Sequence, residues 1–407
     1  MLEGRRIVAV ILAVIGSAAI SQAQCPGYNP NPNKNLACAI ATSAPSQSTA
    51  PALSSTVGST VATQLSQLPI ATAVSGAGLM FNPQLGVFEA SKDNGPILTQ
   101  RGDTIGRHKL FVSFTYQRFS FNAVDGIDLK NLQIVNQLTA GAATYFSQNA
   151  LRVDFRVDQF VGVATFGITK NVDVSLIVPF SEVTLKSQRT SGTLYTISGA
   201  TSTTTPLSAN YFAGSATGLG DVTANVKANI YKSSSEKTSI AVGAQLRFPT
   251  GDAFNYLGTG AYGFKPYVVL SHRGKVTPNF SLAYQLNGVS ALNVDPATGN
   301  SLNLPASFMY SGGVDIQVAK RLSVATELLG QIVIGGPRLF SSTVSAGSVN
   351  LTSVSRGTGS YAMNNAGFGF KLNPLKGLLV SGSALVSLDY AGLRAKVVPL
   401  VGVAYRF

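Results

Sequence analysis

The sequence predicts an all-β fold: a transmembrane antiparallel β-barrel of about twelve strands, preceded by an N-terminal extension that is either periplasmic or a lumen plug. Three observations carry this. From about residue 108 onward, apolar and polar residues alternate in segment after segment, and the links between segments switch between short and long. After the leader, no stretch approaches the roughly 18 consecutive apolar residues that a spanning helix needs. A chain that crosses lipid without such a helix must cross with closed strands, because lipid satisfies no backbone N–H or C=O.

The chain opens "MLEGRRIVAVILAVIGSAAISQAQ", with Arg5 and Arg6 ahead of a short apolar run and a small-x-small step at Ser21 and Ala23. This is the pattern of a secretory signal peptide over residues 1–23. A membrane anchor fits less well, since no stop-transfer flank follows. A lipoprotein site at Cys25 is weaker too, because Gln24 stands where a small residue should precede the lipidated cysteine. Cys25 and Cys38 bracket "CPGYNPNPNKNLAC", and no His or carboxylate lies between them. In an exported chain that favours a disulfide over a metal site, and no metal or cofactor is expected.

Residues 24–107 form the extension. From Asn35 to Phe88 there is no charged residue, and Ala, Ser, Thr, Gly and Pro dominate. Val57, Val61, Leu65 and Leu68 recur at helical spacing and predict a short helix around 56–68. A flexible periplasmic leader and a plug threaded into the lumen both fit this composition.

The barrel is expected over 108–407. Its clearest strand is "LRVDFRVDQFVGVATFGI". Val153, Phe155, Val157, Val161 and Val163 share one face, read as the lipid side, and Arg152, Asp154, Arg156 and Asp158 share the other, read as the lumen wall. The same alternation places Val112, Phe114 and Tyr116 against Ser113, Thr115 and Gln117. It places Val226 and Ile230 against Asn225 and Lys227, Val242 and Leu246 against Gln245 and Arg247, and Phe280 and Leu282 against Asn279 and Ser281. Lys227, Arg247 and Glu327 complete the candidate lumen wall. Ion pairs that fill and stiffen the barrel are the structural alternative for all of these charges.

Tight links fall near Lys170, Lys232, Arg273, Lys320 and Pro374, and long ones at about 122–150, 188–217, 251–262, 288–306 and 336–362. This alternation predicts short periplasmic turns, long outer loops, an even strand count and both termini in the periplasm of an outer membrane. The closing stretch "VVPLVGVAYRF" puts Tyr405 and Phe407 on its apolar face, which predicts a terminal strand and a C-terminal signal for the barrel-assembly machinery. Outer-membrane lipids and lipopolysaccharide are the other expected partners. The net charge of +13 comes from basic residues spread singly rather than clustered with aromatics, which argues against nucleic acid. There are two histidines, His108 and His272. Ser271 beside His272 cannot form a nucleophile and base, because neighbouring strand residues face opposite sides, and no enzyme is expected.

Three stretches stand out: "GLGDVTANVKANIY" (218–231), "LRFPTGDAFNYLGTGAYGFKPYVVLSHRGKVTPNFSLAYQLNG" (246–288) and "NGPILTQRGDTIGRHKLFVSFTYQRFSFNAVDGIDL" (94–129). As a set they resemble the phenol-degradation meta-pathway outer-membrane family, related to the fatty-acid and toluene transporters of the FadL type. The resemblance implies a barrel channel for passive uptake of a small hydrophobic or aromatic solute, plugged at its N-terminus in some relatives. A general polar porin is the alternative, as is a non-transport surface protein acting through loops 188–217 and 336–362.

Overall fold

The computed structural model describes residues 35–37, 50–66, 79–82, 87–90 and 98–405, except 200, 236, 296–297, 320 and 376–377. The signal peptide, Cys25, Cys38 and Phe407 lie outside the described residues. Twelve antiparallel staves close into a barrel. They are β1 (Leu110–Val124), β2 (Ala143–Gly167), β3 (Val172–Ser198), β4 (Asn210–Leu219 and Thr223–Lys232), β5 (Thr238–Arg247) and β6 (Gly263–His272). Then follow β7 (Val276–Asn287), β8 (Ala306–Ala319), β9 (Leu322–Ala346), β10 (Val349–Leu375), β11 (Leu378–Ser387) and β12 (Leu393–Ala395 and Val397–Tyr405). Each pairs with its neighbour in sequence, and β12 closes on β1 through Leu400 opposite Gln117 and Val403 opposite Phe114. No edge is left in the closed ladder, which is the condition for strands to stand in lipid.

The links at one end are tight. At the other end the staves run on: β2 has 25 residues, and β3 and β10 have 27 each. A strand needs only about 10 residues to cross the bilayer, so these hairpins stand as far again beyond it. The stretches 122–150, 188–217 and 336–362, expected as long loops, are therefore largely paired strand. Their Ser and Thr content reads as loop by polarity, but threonine sits well on a pleated surface and a ladder wetted on both sides needs no apolar face. Their tips pack on one another through Phe146, Ala346 and Leu351.

The outer face carries the apolar belt: Phe114, Phe160, Phe166, Leu176, Phe180, Val226, Val242, Phe280, Leu282, Ile332 and Val401 are all exposed. The inner face of the staves near the tight turns is polar and buried, with Gln117, Thr165, Ser175, Asn225, Ser239, Ser271 and Asn279. One assignment is reversed. On β2 it is Phe155, Val157, Val161 and Val163 that are buried, at 1–5% exposure, while Arg152, Asp154 and Arg156 stand on the outside with Phe160 and Phe166. Alternation fixes which residues share a face, not which face looks inward. Here the inner face is apolar because protein, not water, fills the barrel beside it.

The outward charges begin at one level. Arg118, Asp158 and Glu182 are register partners across β1, β2 and β3, directly beyond the lipid-facing Tyr116, Phe160 and Phe180. Asp158 is covered by Tyr116, Arg118 and Arg156, all of which bond to its carboxylate. Above it, Arg152 pairs with Asp154 at 3.5 Å. This row marks where the apolar belt ends.

Candidate functional site

Helix α1 (Ala50–Leu65) lies inside the upper barrel. It carries no acidic residue in its first turn and no basic one in its last, and five consecutive residues, Ser59 to Thr63, are at most 5% exposed. A surface helix buries one stripe; a helix covered on all sides is enclosed. The predicted helix around 56–68 is this element, begun earlier. Leu36 and Ala37 are also buried, and the Leu36 N–H donates to Asn255 Oδ1 at 3.1 Å.

Residues 98–107 form a second internal segment, extended along the wall near the tight turns. An extended chain without a sheet partner leaves its backbone groups open, and the wall supplies the missing partners. Glu327 accepts from the N–H groups of Leu98 and Thr99 at 3.1 and 3.3 Å. Ser271 Oγ accepts from Gly102 at 2.8 Å, and Asp173 Oδ2 accepts from Ile105 at 3.0 Å. Lys227 donates to the carbonyls of Arg101 and Asp103, and Arg273 pairs with Asp103 at 2.8 Å. Gly102 is required here: a Cβ would lie 2.8 Å from the Ser239 carbonyl oxygen.

The two glycine-rich motifs meet at Asp221, in the break of β4. Its carboxylate accepts from the N–H and hydroxyl of Thr259 at 2.8 and 2.6 Å and from the Gly251 N–H at 3.1 Å. Gly258 packs directly on that carboxylate, where any side chain would collide with it. The loop 251–262 is thereby held inside the barrel, with Tyr256 buried against Phe155. Arg247 Nε lies 3.7 Å from Asp221, and its Nη groups reach the Ser66 carbonyl at 2.9 Å and Asn287 at 2.8 Å. Motif, loop and the end of α1 are thus one hydrogen-bonded unit.

The candidate wall residues therefore divide. Lys227, Arg247 and Glu327 face inward, 4–9% exposed, and are engaged in holding the internal chain. Arg152, Asp154, Arg156 and Asp158 belong to the outer face, and their assignment to the lumen is corrected: the faces of β2 are exchanged because its apolar side packs on α1 and the 251–262 loop. Ser271 points inward and His272 outward, where its Nδ1 lies 2.9 Å from Thr238 Oγ1.

Between the internal chain and the wall lies a cavity of about 140 Å³. Following the stave order, one side is polar, with Gln245, Lys265, Tyr267, Ser281 and Ser311 of β5 to β8. The other side is mostly apolar, with Leu329, Met363, Leu385, Leu393, Phe119 and Phe121 from β9 round to β1, and carries the polar Gln331, Asn365 and Arg394 among them. Gln64 of α1 and Leu98 close it from within. A void of about 150 Å³ is known to take up benzene, so the space suits a one-ring guest. Lys265 and Tyr267 were not singled out from the sequence, although they share an alternation phase with the inward Ser271; the apolar Val269 between them blurs that phase.

Residues 136–336 match the model of the family described as "Putative MetA-pathway of phenol degradation". Over those residues, just under half of the chain, it is similar to that family. The family match spans Asp221, Arg247, Thr259 and Lys265, so the glycine-rich motifs and the 251–262 loop lie within it and α1 does not. No curated protein matches the chain. Solved structures similar to it include an outer membrane channel from Pseudomonas putida F1, at 10% identity, covering 75% of this chain and 97% of that one with a TM-score of 0.43. The NanC porin matches at 8% identity over 72% of this chain and all of that one, TM-score 0.36. A Pseudomonas aeruginosa FadL homologue matches at 8% identity over 73% and 86%, TM-score 0.27. At such scores they add nothing to what the closed ladder itself shows.

Proposed function

We propose that this protein is an outer-membrane channel for passive uptake of small hydrophobic or aromatic compounds, with its N-terminal extension serving as the plug. The observation that supports this is the one-ring cavity with an apolar half, set in a lumen otherwise occupied by α1, residues 98–107 and the 251–262 loop. A general porin needs a continuous water column, and an internal helix whose residues 59–63 are all buried leaves little room for one. A solute with an apolar ring gains from leaving water for the Phe119 and Phe121 side of the cavity, at about 25 cal/mol per Å² of apolar surface covered. It moves down its own gradient, and the tight turns face the periplasm in this reading. The outward Arg118, Arg152, Arg156 and Lys186, with their carboxylate neighbours, then meet the headgroup layer of the outer leaflet, where lipopolysaccharide phosphates lie.

Uptake of radiolabelled toluene and of radiolabelled glucose into liposomes carrying the full-length chain tests this. Toluene uptake faster than in protein-free liposomes, with glucose unchanged, is expected. Glucose entering at a porin-like rate would overturn it.

A further inference from the structure

Among the described residues, the cations of the lumen are matched, except one. Arg247 meets Asp221, Asn287 and the Ser66 carbonyl; Lys227 meets two backbone carbonyls and lies 3.9 Å from Asp173; Arg394 meets Asp389 at 3.1 Å. Lys265 faces the cavity from β6, and among the described residues its ammonium has no hydrogen bond and no ion pair. Its register partner on β5 is Gln245, which also lines the cavity and whose amide has no partner among the described residues. An ammonium partly withdrawn from bulk water without a counter-charge is costly, and a bound anion relieves that cost.

We propose that the cavity takes organic monoanions, a carboxylate on a one-ring apolar body, and that Lys265 and Gln245 bind the carboxylate. The inference rests on the cavity being the solute route of the uptake reading. The ammonium and the amide N–H are two donors on neighbouring staves, matched to the two oxygens of a carboxylate. The apolar half takes the ring. An inorganic anion would gain nothing from that half, and a neutral ring would leave Lys265 uncompensated.

The test is equilibrium dialysis of radiolabelled benzoate and of its neutral isostere benzamide against the full-length protein in detergent. The parent is expected to bind benzoate at least tenfold more tightly than benzamide, the scale of one hydrogen bond to a charged group. Lys265→Met should abolish the preference for benzoate by weakening benzoate far more than benzamide, and Lys265→Arg should restore the preference. Gln245→Leu, which keeps the ammonium, should weaken benzoate more than benzamide and carries the test if Lys265→Met does not fold. Equal binding of the two probes by the parent, or equal loss of both in Lys265→Met, overturns the anion site while leaving hydrophobic uptake standing. Binding of neither probe overturns both.

Discussion

The carboxylate of Asp221 accepts both the backbone N–H and the hydroxyl of Thr259, at 2.8 and 2.6 Å, and so ties a break in β4 to a loop folded into the lumen. Removing it strands the buried Arg247 and Thr259 together. Asp221→Ala is expected to cost about 3–5 kcal/mol, the usual penalty for breaking a buried pair from one side. The measure is the temperature at which the folded band converts to the unfolded band in semi-native gels. Limited proteolysis should show new cleavage within 251–262. An unchanged transition with the loop still protected would mean that Asp221 does not hold it.

Gly102 rests against the Ser239 carbonyl, and this contact governs how residues 98–107 lie on the wall. Gly102→Ala must push the segment off or distort β5, at about 1–3 kcal/mol. Hydrogen exchange of the Gly102 and Ile105 amides, which bond to Ser271 and Asp173, is expected to accelerate. Unchanged exchange would place the segment elsewhere.

Glu327 accepts two backbone N–H groups at the entrance of the same segment. Glu327→Gln keeps the shape and removes the charge, so each remaining bond weakens from charge-assisted to neutral. A loss of about 1–2 kcal/mol in stability is expected, read from the same gel transition. Glu327→Gln should also speed exchange at Leu98 and Thr99 while leaving Ile105 slow. A uniform effect on all three amides would argue against a local anchor.

Arg152 and Arg156 stand on the outer face above the apolar belt. Replacing both by Ala should leave benzoate binding within about twofold of the parent and the full-length barrel still closed to ions, since neither side chain reaches the lumen, and surface pairs contribute only about 0–1 kcal/mol. Binding of the variant to lipopolysaccharide-containing vesicles should fall instead. A changed ion selectivity when the double substitution is made in the chain lacking residues 24–66 would return these residues to the pore wall.

The barrel was legible because alternation and link length are local properties of the chain: Ser113, Thr115 and Gln117 fall inward and Phe114 outward as their spacing demands. The inversion on β2 was not legible. Phe155 and Val157 make the same pattern whether they meet lipid or Tyr256, and only the position of the internal chain decides between them. The lumen charges at 227, 247 and 327 were visible as polar breaks in strands. Their partners were not, since Lys227 meets residues 101 and 103, more than a hundred positions away. The two glycine-rich motifs could be quoted from the sequence, but only folding brings Asp221 onto Gly251 and Thr259.

The most direct measurement is single-channel conductance of the refolded full-length chain in a planar bilayer, beside a variant lacking residues 24–66. A lumen closed by its own chain predicts no steady conductance from the full-length protein and open-channel steps once α1 is gone. Large, steady steps from the full-length protein would contradict a plugged channel and leave a water-filled porin in its place.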